Sequence, residues 1–291
     1  MNIPADFPVG VVVTIFGLLI GSFLNVVIYR VPLRESIVFP GSHCPHCNTP
    51  IKAYDNIPVL GYLMLGGKCR SCKAPISPIY PMVELLVGIL YFLCFLKVRN
   101  QFSYEWQTLQ FYLHLVANIV FVSVIVPLVF IDLRHKLLPD VITKPALLVM
   151  FVLREIAPDP TITSTTRETF HLTGLPDWSV ALIGSAIGAL VGGGSLWLVR
   201  EAYYRLRKVE GMGLGDVKMM LFVGAFLGWQ LTALTIFLAS LLGSIIGVSL
   251  IAMRGGNMKM EIPFGVFLGP AALISLFVGQ SFLNWYLSMY K

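Results

Sequence analysis

The chain has 291 residues, of which 56% are hydrophobic and 12% charged, with a mean hydropathy of +0.79 and a formal net charge of +6. A soluble domain carries about 25% charged residues, so soluble globular, disordered, collagen-like and disulfide-scaffold classes are excluded. The composition is that of a polytopic membrane protein.

Crossing a bilayer takes about 20 predominantly apolar residues in a helix. Runs that qualify lie at residues 9–28, 79–96, 111–131, 138–153, 180–199, 217–237, 238–253 and 264–287. They lack strand alternation, so helices rather than a barrel are expected. The predicted fold is an all-α polytopic integral membrane protein with about eight transmembrane helices and a small hydrophilic loop domain, whose side of the membrane and zinc-binding cysteines follow from the charges and spacings below. Two spans are soft. Only Gly228-Trp229-Gln230 offers a turn within 217–253, and the run 138–153 is short and carries Asp140 and Lys144. The first 29 residues contain no Lys or Arg, so the start reads as a first span and not as a cleavable signal.

Arg30, Arg34, Lys52, Lys68, Arg70 and Lys73 follow the first span, and Arg134, Lys136, Arg200, Arg205, Arg207, Lys208, Arg254 and Lys259 fall in later loops on the same side. The other side has Lys97, Arg99, Arg154, Arg167 and Lys291. The positive-inside rule makes the basic loops cytoplasmic and puts both termini outside. Their charge suits anionic lipid headgroups. Spread over four loops with no recognition motif, it does not suit nucleic acid. The Thr-rich stretch 158–177 reads as an external loop, and Trp106, Trp178, Trp229 and Trp285 as an interfacial aromatic belt. No internal repeat is apparent.

Residues 29–77 form the sizeable hydrophilic unit. Cys44-Pro45-His46-Cys47 and Cys69-Arg70-Ser71-Cys72 are two CxxC pairs 21 residues apart, close to the spacing that gathers four thiolates around one tetrahedral zinc. Zinc would supply the stability that so small a loop cannot draw from an apolar core. Two disulfides or a redox centre compete, but a cytoplasmic loop keeps its thiols reduced. His46 is expected to face solvent and Cys94 to be a buried packing residue.

Acids at or inside spans are costly. Here they are Glu84, Asp132, Asp140, Asp216 and Glu261. Asp132 ends the third span. Asp216 opens the sixth after Gly211-Met212-Gly213-Leu214-Gly215, whose alternate glycines allow positive φ and close backbone approach. Taken singly, Asp216 reads equally as a helix cap and Asp132 as an interfacial ion pair with Arg134 or Lys136. Taken together, on one membrane face, they suit a dyad. Two carboxylates in a low-dielectric site cannot both ionise easily, so one activates water while the other, protonated, polarises a peptide carbonyl. Glu84 and Glu261 are otherwise expected to pair with cytosolic Arg or Lys, Asp140 to cap the fourth span, and Met219-Met220 to be helix packing. A transporter whose acids bind protons or cations is the reading from another class, disfavoured because the acids cluster toward one face.

Several motifs carry a resemblance over nearly the whole chain. They are Gly21-Ser22-Phe23-Leu24-Asn25-Val26-Val27-Ile28-Tyr29-Arg30, the four cysteines, Tyr80-Pro81-Met82-Val83-Glu84-Leu85, Ile131-Asp132 through Leu137-Leu138-Pro139-Asp140, Gly211 to Asp216, and Pro263-Phe264-Gly265. The sequence resembles the bacterial type IV prepilin peptidase family, bifunctional leader peptidases and N-methyltransferases of the GxGD aspartyl protease type. The resemblance implies that Asp132 and Asp216 are catalytic, with Gly213 and Gly215 supporting Asp216. The implied substrates are prepilins and pseudopilins of pilus and type II secretion systems, cut after a glycine at the cytoplasmic face of the inner membrane. The new N-terminal residue, usually Phe, is then methylated with S-adenosylmethionine as donor. Residues 1–108 would be associated with methyl transfer, with Gly66 and Gly67 as candidates, and residues 109–291 would form a six-span peptidase domain. Cys44, Cys47, Cys69 and Cys72 would hold structural zinc. A peptidase without methyl transfer is the close alternative, since the stretch between Arg34 and Cys44 is shorter than in some relatives. The leader is basic, as are the loops, and Glu201, Glu210 or lipid headgroups would offset that repulsion.

Overall fold

A computed structural model describes residues 7–102, 108–209, 211–254 and 263–289. The sequence readings at Trp106, Glu210, Lys259, Glu261 and Lys291 lie outside the described residues. The described residues are overwhelmingly helical, with two isolated β-bridges, His43 to Pro50 and Lys68 to Pro75, and no named strand.

The chain forms two compact units, 1–127 and 128–291. In the first, helix α1 (Phe7–Arg30) leads into the hydrophilic loop, which holds a 3-10 turn (Ala53–Asn56) and the short α2 (Leu60–Met64). Helix α3 (Ile79–Gln101) returns antiparallel, and α4 (Leu109–His135) runs from this unit into the next. Lipid tails are as apolar as leucine, so helices gain little by hiding apolar surface from each other and instead need close van der Waals contact through small residues. Gly17, Gly21 and Gly88 provide it between α1 and α3. A Cβ on Gly17 would lie 2.8 Å from the Tyr91 ring, and one on Gly21 would lie 2.7 Å from the Cα of Glu84. Asn25 Nδ2 donates to the Tyr80 carbonyl at 3.0 Å, and Tyr91 shares a 2.7 Å hydrogen bond with Ser123 of α4. Cys94 is fully buried, as expected.

The second unit contains α5 (Asp140–Ile156), α6 (Pro160–Thr169), and α7 (Asp177–Ala189), which passes through a π-turn (Leu190–Gly194) into α8 (Ser195–Arg207). The long α9 (Leu214–Arg254) follows, then α10 (Gly265–Ile274), a second π-turn (Ser275–Gly279) and α11 (Gln280–Ser288). The same small-residue logic recurs here. Gly188 and Gly224 meet so closely that a Cβ on either would strike the other's carbonyl, and Gly192 lies against the Met220 carbonyl. Met219 and Met220 are fully buried, which fits packing.

Among the described residues, six helices are long and apolar enough to cross a membrane, so length and composition do not establish the expected count of eight. The predicted fourth span is α5, which at 17 residues and about 1.5 Å per residue is short of the hydrocarbon thickness. The predicted sixth and seventh spans share α9. The break in it falls at Gly228 (φ 76, ψ 170), about three turns before the expected boundary, in a conformation suited to glycine. Arg154 of α5 stabilises that break by donating from its guanidinium to the carbonyl of Phe226, with Nε at 2.9 Å, so a carbonyl freed by the broken helix has a buried partner. Trp229, next to the break, is half-buried against Phe170, whereas Trp178 and Trp285 are exposed.

Candidate active site and metal centre

In the first unit the loop brings Cys44, Cys47, Cys69 and Cys72 together, with all four Sγ atoms within 4.8 Å of one another. Four thiolates about 2.3 Å from a tetrahedral zinc stand about 3.8 Å apart; Cys44 Sγ and Cys72 Sγ are 3.8 Å apart. The donor set therefore fits zinc in both chemistry and size. Contact with the Thr49 hydroxyl, then with its amide, pulls the Cys47 thiol down to about 6, toward the thiolate form that binds metal. The amides of Cys72 and Ser71 lower Cys69 similarly. His46 is exposed, as expected.

The two knuckles are structural copies, a repeat the sequence reading missed. Cys44 N donates to Thr49 O at 3.0 Å, Asn48 N to Cys44 O at 2.9 Å and Ile51 N to Ser42 O at 2.9 Å. In the second knuckle Cys69 N meets Ala74 O at 2.8 Å, Lys73 N meets Cys69 O at 3.1 Å and Ile76 N meets Gly67 O at 2.8 Å. Asn48 and Lys73, each just after a second cysteine, both take positive φ. The signal is present as a doubled C-x-x-C-x-x-P-I. Arg70 bridges the knuckles' surroundings, gripping Asp55 of the 3-10 turn with two bonds of 2.8 and 2.5 Å. That guanidinium holds the Asp55 carboxyl below the usual carboxylate range.

In the second unit Asp132 stands in the last turn of α4 and Asp216 in the first turn of α9, both buried. A third segment joins them. Gly265 begins α10 between the two carboxylates: a Cβ there would lie 2.6 Å from Asp132 Oδ2 and 3.2 Å from Asp216 Oδ1. The amide of Gly265 donates to Asp216 and that of Val266 to Asp132. The positive end of a helix thus faces two acids. Asp132 Oδ2 is buried with no hydrogen-bond partner. Pro263-Phe264-Gly265 was visible as a motif, but its role was not, because nothing local says that a glycine far along the chain separates two acids.

The glycines before Asp216 work differently from expectation. Gly211, Gly213 and Gly215 do not take positive φ. Gly215 is tight because a Cβ would meet the Leu138 Cβ at 2.8 Å, and Gly211 lies against the Tyr203 ring. Gly213 has room, its nearest neighbours standing 3.8 and 3.9 Å from a Cβ. Arg200 Nε of α8 donates to the Met212 carbonyl at 3.2 Å and tethers this loop. Asp140 is not the expected cap. It binds Lys218 at 2.5 Å and Lys144 at 2.8 Å, and no side-chain cap hydrogen bond starts α5. Glu84 does not show the expected Arg or Lys partner; its Oε2 accepts the Val59 amide at 2.7 Å. Gly66 and Gly67 both take positive φ, 58° and 68°.

No solved structure matches the chain. Residues 15–98 match the family described as Bacterial Peptidase A24 N-terminal domain, and residues 119–248 match the Type IV leader peptidase family. A prepilin leader peptidase/N-methyltransferase of Aeromonas hydrophila is 38% identical over 95% of this chain and 93% of its own length. Proteins so named from Pseudomonas aeruginosa and Neisseria gonorrhoeae are 34% and 33% identical, each over 94% of this chain and over 91% and 93% of their own lengths. With its tetracysteine loop matched by one family and its two aspartates by the other, the chain belongs to the type IV leader peptidase family.

Proposed function

We propose that the chain is a bifunctional membrane enzyme that removes the basic leader of type IV prepilins and pseudopilins and N-methylates the residue this exposes. The observation that carries the reading is the convergence of Asp132 and Asp216 on Gly265. One aspartate, ionised, takes a proton from water as the water oxygen attacks the carbonyl carbon of the leader's last glycine. The other, protonated, donates to the carbonyl oxygen. Collapse of the tetrahedral intermediate breaks the C–N bond, and the amine leaves with a proton. The Gly265 and Val266 amides hold the two carboxylates, and the partnerless Asp132 Oδ2 is the oxygen that meets the water. Gly215 keeps the loop tight on Leu138, and the open space at Gly213 admits extended substrate backbone.

Hydrolysis belongs to residues 109–291 and methyl transfer to 1–108, where the paired positive-φ turn at Gly66 and Gly67 opens the second knuckle. Cys44, Cys47, Cys69 and Cys72 hold Zn2+ as a structural ion, and S-adenosylmethionine supplies the methyl group. In a bacterial inner membrane, with both termini outside and the loops cytoplasmic, the dyad meets a prepilin where its apolar helix ends and its leader begins. Glu201 and lipid headgroups offset the charge of leader and loops. Incubating purified protein with a prepilin and labelled S-adenosylmethionine tests the reading: the mature product should appear carrying label. Cleavage without label would remove the methyl-transfer half, and no cleavage would remove the whole.

A further inference from the structure

Glu84 is a carboxylate of α3 that hydrolysis does not use, and it is 8% exposed. It sits where three segments of the first unit meet. Gly21 of α1 packs on its backbone, the Ser22 hydroxyl donates to its carboxylate, and Oε2 accepts the Val59 amide at 2.7 Å. Val59 is the residue that needs holding. Its backbone lies at φ 61, ψ −51, a region that a β-branched residue adopts only when its surroundings force it. Leu60 N reaches back to Pro58 O at 2.6 Å across it, which closes a tight three-residue turn.

The chain runs from that turn through α2 directly into the Gly66-Gly67 turn. Gly61 N returns to Ile57 O at 2.8 Å, Leu63 N to Val59 O at 3.1 Å, and Gly67 N to Tyr62 O at 3.0 Å. Gly67 O then accepts from Ile76 N of the second knuckle at 2.8 Å. One continuous hydrogen-bonded path therefore joins Glu84 to the glycine pair and the cysteines. We infer that Glu84 is a positioning residue for methyl transfer: its carboxylate, fixed on α3, holds Val59 in the strained turn that sets where α2 presents Gly66 and Gly67. This rests on the reading above that the glycine pair serves methyl transfer.

The test uses the full-length enzyme and a pre-cleaved pilin peptide, so that methylation is read apart from cleavage. Glu84→Ala should lower kcat for methylation about tenfold or more while prepilin cleavage and bound zinc stay unchanged. Glu84→Gln, whose amide oxygen still accepts the Val59 amide, should recover most of the rate. Glycine adopts φ near +60° without cost, so Val59→Gly in the Glu84→Ala background should also recover most of it. Wild-type methylation by Glu84→Ala, loss of cleavage in step with methylation, or failure of Val59→Gly to rescue would each overturn the inference. Gly67→Ala serves as the reference. If it loses methylation while Glu84→Ala does not, only the inference falls; if it methylates at the wild-type rate, the role of the glycine pair falls first and the inference with it.

Discussion

The cysteine loop and the aspartate site both gather acidic groups at one point, but over very different lengths of chain. The cysteines lie within a single loop, in two copies of one short turn, and each copy closes on itself with the same set of hydrogen bonds. The aspartates come from the end of α4 and the start of α9 and meet only because a third segment, the start of α10, stands between them. The first arrangement is local, and the proposed zinc would supply its stability. The second leans on packing, and a single absent methyl group keeps it open. Damage to each should therefore read out differently.

The largest effect is expected from the metal. Structural zinc contributes about 10 kcal/mol or more to the folding of so small a unit, so Cys47→Ser or chelation should release the ion, expose residues 31–78 to protease and abolish methylation. Prepilin cleavage should persist, and its loss at the same chelator concentration would tie the two halves together. Next is Gly265→Ala. Its Cβ falls 2.6 Å from one carboxylate and 3.2 Å from the other, and overpacking of about 1–3 kcal/mol corresponds to about 5- to 150-fold in kcat for cleavage. Methylation of a pre-cleaved peptide should be untouched.

Gly215→Ala should be milder, about tenfold in cleavage, because the crowded atom is the Leu138 Cβ and not an oxygen of either aspartate. Leu138→Gly in the same chain, which removes that Cβ, should recover part of that loss, whereas two losses that simply add would remove Leu138 as the reason for the glycine. Smallest is Asp140→Asn. Its pairs with Lys144 and Lys218 are partly exposed, and such pairs contribute little. Cleavage should stay within about threefold of wild type.

Much of this was legible in the sequence, and the parts that were not have physical causes. Helical spans, the tetracysteine loop and the acids at span ends follow from hydropathy and spacing, which are local. The number of spans was not: Gly228 stands out in the sequence as a turn, but what it does to the apolar run is set by its φ of 76 and by Arg154 reaching the Phe226 carbonyl from another helix. The partners of Glu84 and Asp140 were missed for the same reason. Charge alone suggests ion pairs, but a buried carboxylate is satisfied as well by backbone amides, and Val59 and Glu84 are distant in sequence. The Gly265 wedge was present as a motif without a reason. By contrast, the doubled C-x-x-C-x-x-P-I was fully present in the sequence and needed only the hydrogen bonds to show that it is a repeat.

The central claim is that Asp132 and Asp216 act as one site for hydrolysis, separate from methyl transfer. The most direct measurement assays Asp132→Asn and Asp216→Asn, each zinc-loaded, on an intact prepilin and on a pre-cleaved pilin peptide with labelled S-adenosylmethionine. Both variants should lose leader removal and both should methylate the pre-cleaved peptide at close to the wild-type rate. Substantial cleavage by either variant, or loss of methylation along with cleavage, would contradict the account.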